Sequence, residues 1–171
     1  MMNQIAFLDR DGVLNIDHDY VYRPEEFDWM PDAIEAVRWL NEHGFRTAVV
    51  TNQSGIGRGH YTEDEFHFLM RWVQRTLEEH GARLDTYYFC PHHPVMAKPP
   101  YRQECPCRKP NPGMLLQGLR DLDGDPRRSF LIGDKPTDIQ AAEAAGVKGF
   151  LYKGGSLLTA VRSAVETLEL V

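Results

Sequence analysis

The feature that most constrains the fold is a regular alternation of short apolar runs and helical hydrophobic patterns. Five runs have the length and composition of buried strands, at residues 5–8, 47–50, 86–89, 129–132 and 150–152. Helical patterns lie between them, at residues 31–44, 62–81, 111–122 and 139–146. Because strand–helix–strand crossovers are right-handed and place each new strand alongside the sheet, this order predicts an α/β fold. We expect a doubly wound, Rossmann-like parallel sheet with helices on both faces.

Two helix starts and one irregular segment stand out. Thr62 followed by Glu65 fits a capping box, in which each side chain accepts a hydrogen bond from the other residue's backbone. Asn111 and Pro112 suit the N-cap and the first position of the next helix. Residues 90–110 are rich in proline and cysteine, and they form a connection too long for an ordinary loop.

Size and charge narrow the classes of function. A chain of 171 residues is long enough for one well-buried core and short for two, so we expect one domain, residues 1–171. The net charge of -6 disfavours a nucleic-acid partner held by a general basic field. No apolar run approaches the roughly 20 residues of a membrane span, and the first residues do not resemble an export signal. We expect a cytoplasmic monomer with no membrane or nucleic-acid partner.

Polar residues follow three of the predicted strands. Asp9 and Asp11 come after the first strand, Thr51 and Asn52 after the second, and Asp134 after the fourth. The carboxyl ends of parallel strands meet at one edge of a sheet, so these residues should converge on one cleft. Two carboxylates so close together resist ionisation unless a positive group lies between them. The pair therefore indicates a cation at this edge.

Four motifs, in order along the chain, resemble those of the haloacid dehalogenase superfamily of phosphatases: DRDGVLN, VVTNQSG, CRKPNPG and IGDKPTD. The resemblance runs over nearly the whole chain. The segments TNQSGIGRG, YYFCPHHP and CPCRKPNPGMLL are similar in particular to the heptose bisphosphate phosphatases, a subgroup that shares ancestry with the histidinol-phosphate phosphatases. Many relatives carry an inserted cap domain, but neither interval between the first three motifs has room for one. We therefore expect a capless enzyme.

This resemblance implies hydrolysis of a phosphate monoester through an aspartyl phosphate. It makes Asp9 the nucleophile, and it makes Asp11 the acid that protonates the leaving alcohol and then the base that deprotonates water. Thr51 and Asn52 would hold the phosphoryl oxygens, and Lys109 would neutralise charge that develops on them. Without the resemblance, Thr51 and Asn52 would be interpreted as turn residues and Lys109 as solvated surface.

The same resemblance implies a catalytic Mg²⁺ ion, which prefers oxygen ligands. Asp9, Asp134 and the backbone carbonyl of Asp11 would hold it. Asp138 is ambiguous, because a carboxylate in the first turn of a helix is favoured by the helix dipole alone. We assign Asp138 a supporting role beside the metal.

The resemblance also implies a substrate, a small phosphorylated sugar of the heptose bisphosphate class that loses its C7 phosphate. The implied contacts are Asp17, His18, Asp19, Tyr20, Asn52, Gln53, Ser54, Arg108 and Lys135. For residues 17–19, a solvated polar loop is the alternative interpretation. Arg108 could bind the second phosphate, with Arg58 as a further cation.

A second group of potential metal ligands lies in the irregular segment. Cys90 and His92 form a C-x-H pair, and twelve residues separate it from the C-x-C pair of Cys105 and Cys107. Three thiolates and one imidazole can complete a closed tetrahedral Zn²⁺ site of the structural type. An odd number of cysteines disfavours a disulfide framework and favours a metal or a free thiol. His93 is a competing ligand, but the resemblance prefers His92 and implies a zinc loop at about residues 90–107.

Three hypotheses for the function remain. The first is a heptose bisphosphate phosphatase, and the second is a histidinol-phosphate phosphatase with the same chemistry. The third is a phospho-accepting receiver domain, which also phosphorylates an aspartate at a strand end of a doubly wound sheet. A receiver domain explains neither Asp11 nor the predicted zinc loop, so we prefer a Mg²⁺-dependent phosphatase.

Overall fold

A five-stranded sheet forms the centre of the protein, whose computed structural model describes residues 2–170. Its strands are β1 (Gln4–Leu8), β2 (Phe45–Asn52), β3 (Thr86–Cys90), β4 (Phe130–Gly133) and β5 (Lys148–Leu151). Their order is β3-β2-β1-β4-β5, and all neighbours pair in parallel. The predicted doubly wound sheet is therefore confirmed. Residues 1 and 171, the ends of the predicted domain, lie outside the described residues.

Helices connect the strands and cover both faces of the sheet. Those within residues 2–170 are α1 (Ala33–Glu42), α2 (Ser54–Gly57), α3 (Glu63–Glu79), α4 (Gly113–Asp121), α5 (Pro136–Ala144) and α6 (Leu157–Thr167). The short α2 and the final α6 were not predicted. The sequence does carry a signal for α6, since Leu157, Val161 and Ala164 recur at helical spacing and are buried.

Two apolar layers sandwich the sheet. Leu8 and Val49 pack in one buried cluster with residues of α1, α3 and α6. Phe7 and Val50 pack in the other, with residues of α4 and α5. Successive strand residues point to opposite faces, so a strand covered on both sides is apolar without interruption. The continuous apolar runs in the sequence have this origin.

The two predicted helix starts have different outcomes. The capping box is confirmed: Glu65 N donates to Thr62 Oγ1 at 3.1 Å, and Thr62 N donates to Glu65 Oε1 at 3.0 Å. The prediction of Asn111 as an N-cap is wrong, because α4 begins at Gly113 with Pro112 as its N-cap. The Asn111 side-chain amide instead donates to the carbonyl of Cys105 at 3.0 Å. This bond holds the Asn111 side chain against the preceding loop, one residue before the position that caps the helix.

From β1, the chain adds β2 and β3 on one side of the sheet and then β4 and β5 on the other side. The topological switch point therefore lies between β1 and β4. Leu8 at the end of β1 is in register with Ile132 near the end of β4. Asp9 N extends this pairing by donating to Ile132 O at 3.1 Å. Such a switch point opens a crevice at the carboxyl ends of the strands. Asp9 and Asp134 follow the two strands that flank this crevice.

The chain between the first and third motifs contains little besides the sheet and its helices. Between β1 and β2 lie one 3-10 turn, Pro24–Glu26, and α1. Between β2 and β3 lie only α2 and α3, and the segment before α4 contains neither helix nor strand. The described residues therefore form no inserted cap, as predicted. Across residues 2–170, no helix combines the length and the apolar character needed to cross a membrane.

Candidate active site

Three carboxylates meet at the switch point of the sheet. Asp9 follows β1, Asp134 follows β4, and Asp138 lies in the first turn of α5. One oxygen from each of the three lies within 4.8 Å of the other two. Asp9 and Asp138 are buried, whereas Asp134 is partly exposed. The convergence predicted for the strand ends is thus present, and Asp138 belongs to the cluster itself.

The buried amino group of Lys109 lies among these carboxylates. Its Nζ is 2.5 Å from Asp138 Oδ1 and 3.2 Å from Asp9 Oδ1, and it donates to Val50 O at 3.0 Å. Burial alone would lower the pKa of Lys109, but the charges of Asp9 and Asp138 outweigh it and raise that pKa. Lys109 is therefore a fixed cation beside the carboxylate of Asp9.

Asp138 uses both of its oxygens within the protein. Oδ1 accepts from Lys109, and Oδ2 accepts from the backbone N–H groups of Asp134 and Lys135 at 3.1 Å each. Gly133 makes room for this arrangement, because a side chain there would overlap Asp138. Asp138 therefore fixes Lys109 and the backbone that carries Asp134.

Asp9 and Asp134 leave a demand for positive charge. The buried Oδ1 of Asp134 has no hydrogen-bond partner among the residues that the structure describes. Burial raises the pKa of Asp9 well above its usual range; Lys109 opposes this shift, and the neighbouring carboxylates add to it. A side chain at Gly12 would overlap the Asp134 carboxylate, so only glycine lets the backbone come this close. Oxygen ligands with an unpartnered atom and excess negative charge fit a divalent cation such as Mg²⁺.

Three donors fix the carboxylate of Asp11. Oδ1 accepts from Arg10 Nη2 at 2.8 Å and from Asn15 Nδ2 at 3.0 Å, and Oδ2 accepts from Gln53 Nε2 at 3.0 Å. Burial would raise the pKa of Asp11, but the charge of Arg10 and these hydrogen bonds together lower it. The sequence analysis did not identify Arg10 as a site residue. Its position between Asp9 and Asp11 was the available signal, and the structure shows that its side chain is fully buried.

The end of β2 adds polar groups to the cleft. The Asn52 side chain donates to Lys109 O at 3.2 Å and accepts from Lys109 N at 3.0 Å, so it ties the lysine to β2. The hydroxyl of Thr51 accepts from Gln53 Nε2 at 2.9 Å. Thr51 and Asn52 both line the cavity above Asp9 and Asp11. The Asn52 amide already bonds Lys109 through both its nitrogen and its oxygen. Its predicted contact with phosphoryl oxygens stays a prediction.

The cavity has a volume of about 180 Å³ and is lined mainly by polar side chains. Of the predicted substrate contacts, those that line it are Asp17, Asp19, Tyr20, Asn52, Gln53, Ser54 and Lys135. His18 and Arg108 are not among the lining residues. His18 Nε2 lies 2.7 Å from Asp28 Oδ2 on the surface, and Arg108 Nη1 donates to His92 O at 3.3 Å. Tyr61 and Thr137 also line the cavity, and the sequence carried no specific signal for either.

The predicted zinc ligands form a second cluster. Cys90, His92, Cys105 and Cys107 each place one ligand atom within 4.8 Å of the others. His92 Nδ1 lies 3.7 Å from the Cys90 sulfur and 3.6 Å from the Cys107 sulfur. Ligands of one tetrahedral zinc ion lie about 3.6 Å apart when one is nitrogen and the other sulfur. The described cluster thus fits zinc in these two distances.

Two details of the cluster bear on the zinc prediction. His93, the competing ligand, is turned away, and its Nδ1 accepts from the N–H groups of Val95 and Met96 at 3.1 and 2.9 Å. The sulfurs of Cys105 and Cys107 are joined as a disulfide. That pairing runs against the expectation from the cysteine count. A zinc ion needs both as separate thiolates, so disulfide and zinc are alternative states of this pair.

Comparisons with known proteins show which family this chain resembles. The family model described as HAD-hydrolase-like matches residues 106–167. The D-glycero-beta-D-manno-heptose-1,7-bisphosphate 7-phosphatase of Pasteurella multocida is 46% identical over 159 residues, which cover 92% of this chain and 86% of that protein. The enzyme of the same name from Escherichia coli K12 is 48% identical over 141 residues, 82% of this chain and 74% of that protein.

A solved structure shares the fold. The crystal structure of D,D-heptose 1,7-bisphosphate phosphatase from B. bronchiseptica, complexed with magnesium and phosphate, superposes with a TM-score of 0.83 and 28% identity. The match covers 96% of this chain and 99% of that one. These likenesses favour a phosphatase over the receiver-domain alternative. The chain is an enzyme that belongs to the haloacid dehalogenase superfamily of phosphatases.

Proposed function

We propose that the protein is a Mg²⁺-dependent phosphatase that removes the C7 phosphate of D-glycero-D-manno-heptose 1,7-bisphosphate. The observation that carries this proposal is the position of Asp9, beside the buried Lys109 and in one cluster with Asp134, whose Oδ1 has no hydrogen-bond partner among residues 2–170. Relatives that are 43% to 48% identical to this chain are named for that reaction. We propose also that the protein acts as a single-domain monomer on this small phosphorylated sugar.

The chemistry follows from the groups around the cleft. Mg²⁺ held by Asp9, Asp134 and the backbone carbonyl of Asp11 would neutralise phosphoryl oxygens and favour the ionised form of Asp9. An Asp9 oxygen attacks phosphorus, and the bond from phosphorus to the sugar oxygen breaks. Lys109 lies 3.2 Å from Asp9 Oδ1, where it can balance charge on the transferring group.

Asp11 handles the protons in both halves of the reaction. It gives a proton to the departing sugar oxygen, which leaves as an alcohol, and a phosphate ester remains on Asp9. Asp11, now ionised, takes a proton from water as the water oxygen attacks phosphorus. Inorganic phosphate leaves, and Asp9 is again a carboxylate. The hydrogen bonds from Arg10, Asn15 and Gln53 hold Asp11 in place for both steps.

Two arginines support a bisphosphate as the substrate. Arg58 Nη1 donates to the Tyr20 hydroxyl at 3.3 Å, and its buried Nε has no hydrogen-bond partner within residues 2–170. Burial lowers the pKa of Arg108; the nearby Cys90 opposes this shift, and the positive charge of Arg58 adds to it. Two guanidinium groups that repel each other gain from a shared dianion, which the second phosphate would supply.

Histidinol phosphate is the second candidate, because Asp17 and Asp19 line the cavity and could bind its ammonium group. Hydrolysis of both compounds by one preparation with Mg²⁺ tests the choice. We expect a much higher kcat/KM for the heptose bisphosphate, with phosphate released from C7. A higher kcat/KM for histidinol phosphate would overturn the substrate and leave the roles of Asp9 and Asp11 intact.

We propose further that Cys90, His92, Cys105 and Cys107 hold a structural zinc ion. The segment between β3 and α4 contains neither helix nor strand, and it buries few apolar side chains of its own. Such a segment needs a crosslink or a metal to hold one conformation. The distances from His92 Nδ1 to two of the sulfurs suit zinc.

A further inference from the structure

A chain of hydrogen bonds connects Asp11 to a tyrosine outside the catalytic motifs. The hydroxyl of Tyr61 donates to Gln53 Oε1. The other end of that amide, Nε2, donates to Asp11 Oδ2 at 3.0 Å and to Thr51 Oγ1 at 2.9 Å. Both Tyr61 and Gln53 are buried, at 5% and 2% exposure. One side-chain amide thus connects Tyr61 to two residues of the proposed site.

The two ends of the amide agree on a single orientation. Tyr61 presents a hydroxyl proton, which suits Oε1, and burial raises the pKa of that hydroxyl, so it stays protonated. Asp11 Oδ2 presents lone pairs, which suit Nε2. A rotation of the amide by half a turn would direct Oε1 at Asp11 and remove the acceptor that Tyr61 uses. Tyr61 therefore opposes the flipped amide.

The orientation matters because it decides where the proton of Asp11 can lie. Oδ1 already accepts two hydrogen bonds, from Arg10 and Asn15, and a carboxylate oxygen has about two lone-pair sites. Oδ2 accepts one, from Gln53, and keeps one site free. The transferable proton therefore belongs on Oδ2. With the amide flipped, Gln53 Oε1 would accept that proton in a hydrogen bond and compete with the leaving oxygen.

We propose that Tyr61 is a positioning residue for the general acid, which fixes the amide of Gln53 so that the proton on Asp11 Oδ2 stays available to the departing sugar oxygen. This inference rests on the proposed role of Asp11 as the acid. It predicts that Tyr61 matters only when the leaving group needs a proton. An alkoxide needs one, whereas a nitrophenolate leaves readily without it.

The experiment compares Tyr61→Phe with the unchanged enzyme on two esters, the heptose 1,7-bisphosphate and para-nitrophenyl phosphate. We measure kcat/KM because it reports the steps up to departure of the first product. The expected loss is about tenfold for the sugar and less than about twofold for the aryl ester. Tyr22→Phe is the matched control. The Tyr22 ring stacks on the Tyr61 ring with 5.2 Å between their centroids, and its hydroxyl takes no part in the hydrogen bonds of Gln53. It should change neither value.

Two further variants separate the possible failures. Asp11→Asn should show the same selectivity with a larger loss on the sugar. If it does not, the acid role of Asp11 fails, and this inference fails with it. If Asp11→Asn is selective and Tyr61→Phe is not, only the role of Tyr61 is overturned. When Gln53 is already replaced by Leu, adding Tyr61→Phe should not lower kcat/KM for the sugar any further. If Tyr61→Phe lowers it as much as it does in the unchanged enzyme, Tyr61 does not act through Gln53.

Discussion

The two candidate metal sites of this protein are built in opposite ways. The carboxylate site lies at strand ends, and its ligand positions follow from the register of β1 and β4. Lys109 and Asp138 hold it together through buried hydrogen bonds that need no metal. The cysteine–histidine cluster lies in a segment without helix or strand, and three of its four residues are partly exposed. The first site is organised by the fold, whereas the second must organise its own loop.

The contrast predicts different roles for the two proposed metal ions. A cation at the strand ends would find its ligands in place, so its loss should stop the chemistry and leave the fold nearly unchanged. A zinc ion in the loop would supply folding free energy to residues that have few other contacts. Its loss should change the loop first and the chemistry only indirectly.

Asp9→Asn should have the largest effect. The amide keeps the shape of the side chain but is not a nucleophile, so phosphate release should fall by at least about a thousandfold. The thermal unfolding temperature should not fall, because the buried negative charge is removed. Phosphate release and thermal melts of the same preparation measure the two effects. Near wild-type turnover would refute the nucleophile and with it the role of the strand-end site.

Arg108→Ala should affect recognition and spare the chemistry. Arg108 precedes Lys109, the proposed cation of the active site, but belongs to the loop, where it donates to His92 O. Losing a charge-assisted contact to the second phosphate should lower kcat/KM for the heptose bisphosphate by roughly 10- to 100-fold. The value for para-nitrophenyl phosphate, which has no second phosphate, should change by less than about threefold. Equal losses on both substrates would place Arg108 in the chemistry instead.

Cys105→Ser should act on the loop. We expect bound zinc to fall below about half an equivalent and the unfolding temperature to fall by roughly 5 °C. Turnover of para-nitrophenyl phosphate should stay within about threefold. Glu104→Ala, an exposed neighbour in the same loop, is the matched control and should keep its zinc.

Treatment with a thiol reductant distinguishes a loop held by zinc from one held by the disulfide of Cys105 and Cys107. If zinc holds the loop, the reductant should leave the unfolding temperature of the unchanged protein as it is. If a disulfide holds it, the reductant should lower that temperature as much as Cys105→Ser does.

The smallest predicted effect is a pH dependence of stability. Burial and neighbouring carboxylates raise the pKa of Asp9 in the metal-free fold, so the folded state binds this proton more tightly than the unfolded state. This stabilisation is complete below the ordinary carboxyl pKa of about 4 and is lost as pH rises through the raised pKa. The unfolding temperature without metal should therefore decrease across that window by about 3 °C. Melts at a series of pH values measure it.

Mg²⁺ and a variant provide the controls for this effect. Saturating Mg²⁺ should restore the stability at the upper end of the pH window, because the ion favours the ionised carboxylate. Asp9→Asn should remove the part of the pH dependence that Asp9 contributes. If the stability difference between the unchanged protein and Asp9→Asn did not decrease with pH over this window, the raised pKa of Asp9 would be contradicted.

The sequence predicted the elements of the sheet and the convergence of its strand ends, because both follow from apolar periodicity and parallel topology. It could not predict how side chains share hydrogen bonds within the cleft. Gln53 lines the cavity, as a predicted substrate contact should, but the sequence carried no sign that its amide also bonds Asp11, Thr51 and Tyr61. Such partnerships join residues from separate elements, and nothing in local sequence encodes the distance between them. Asn111 failed as an N-cap because α4 begins one residue later than its pattern predicted, and the Asn111 amide binds Cys105 O in the preceding loop.

The most direct test of the division between the two sites is a joint measurement of zinc content and phosphatase activity on one preparation purified without chelator. Dialysis against buffer lacking Mg²⁺ should abolish turnover and leave about one equivalent of zinc, and adding Mg²⁺ alone should restore turnover. The division between the two sites would be contradicted by activity that does not depend on Mg²⁺ and follows the zinc content. Zinc below about half an equivalent in the active enzyme would contradict the zinc site.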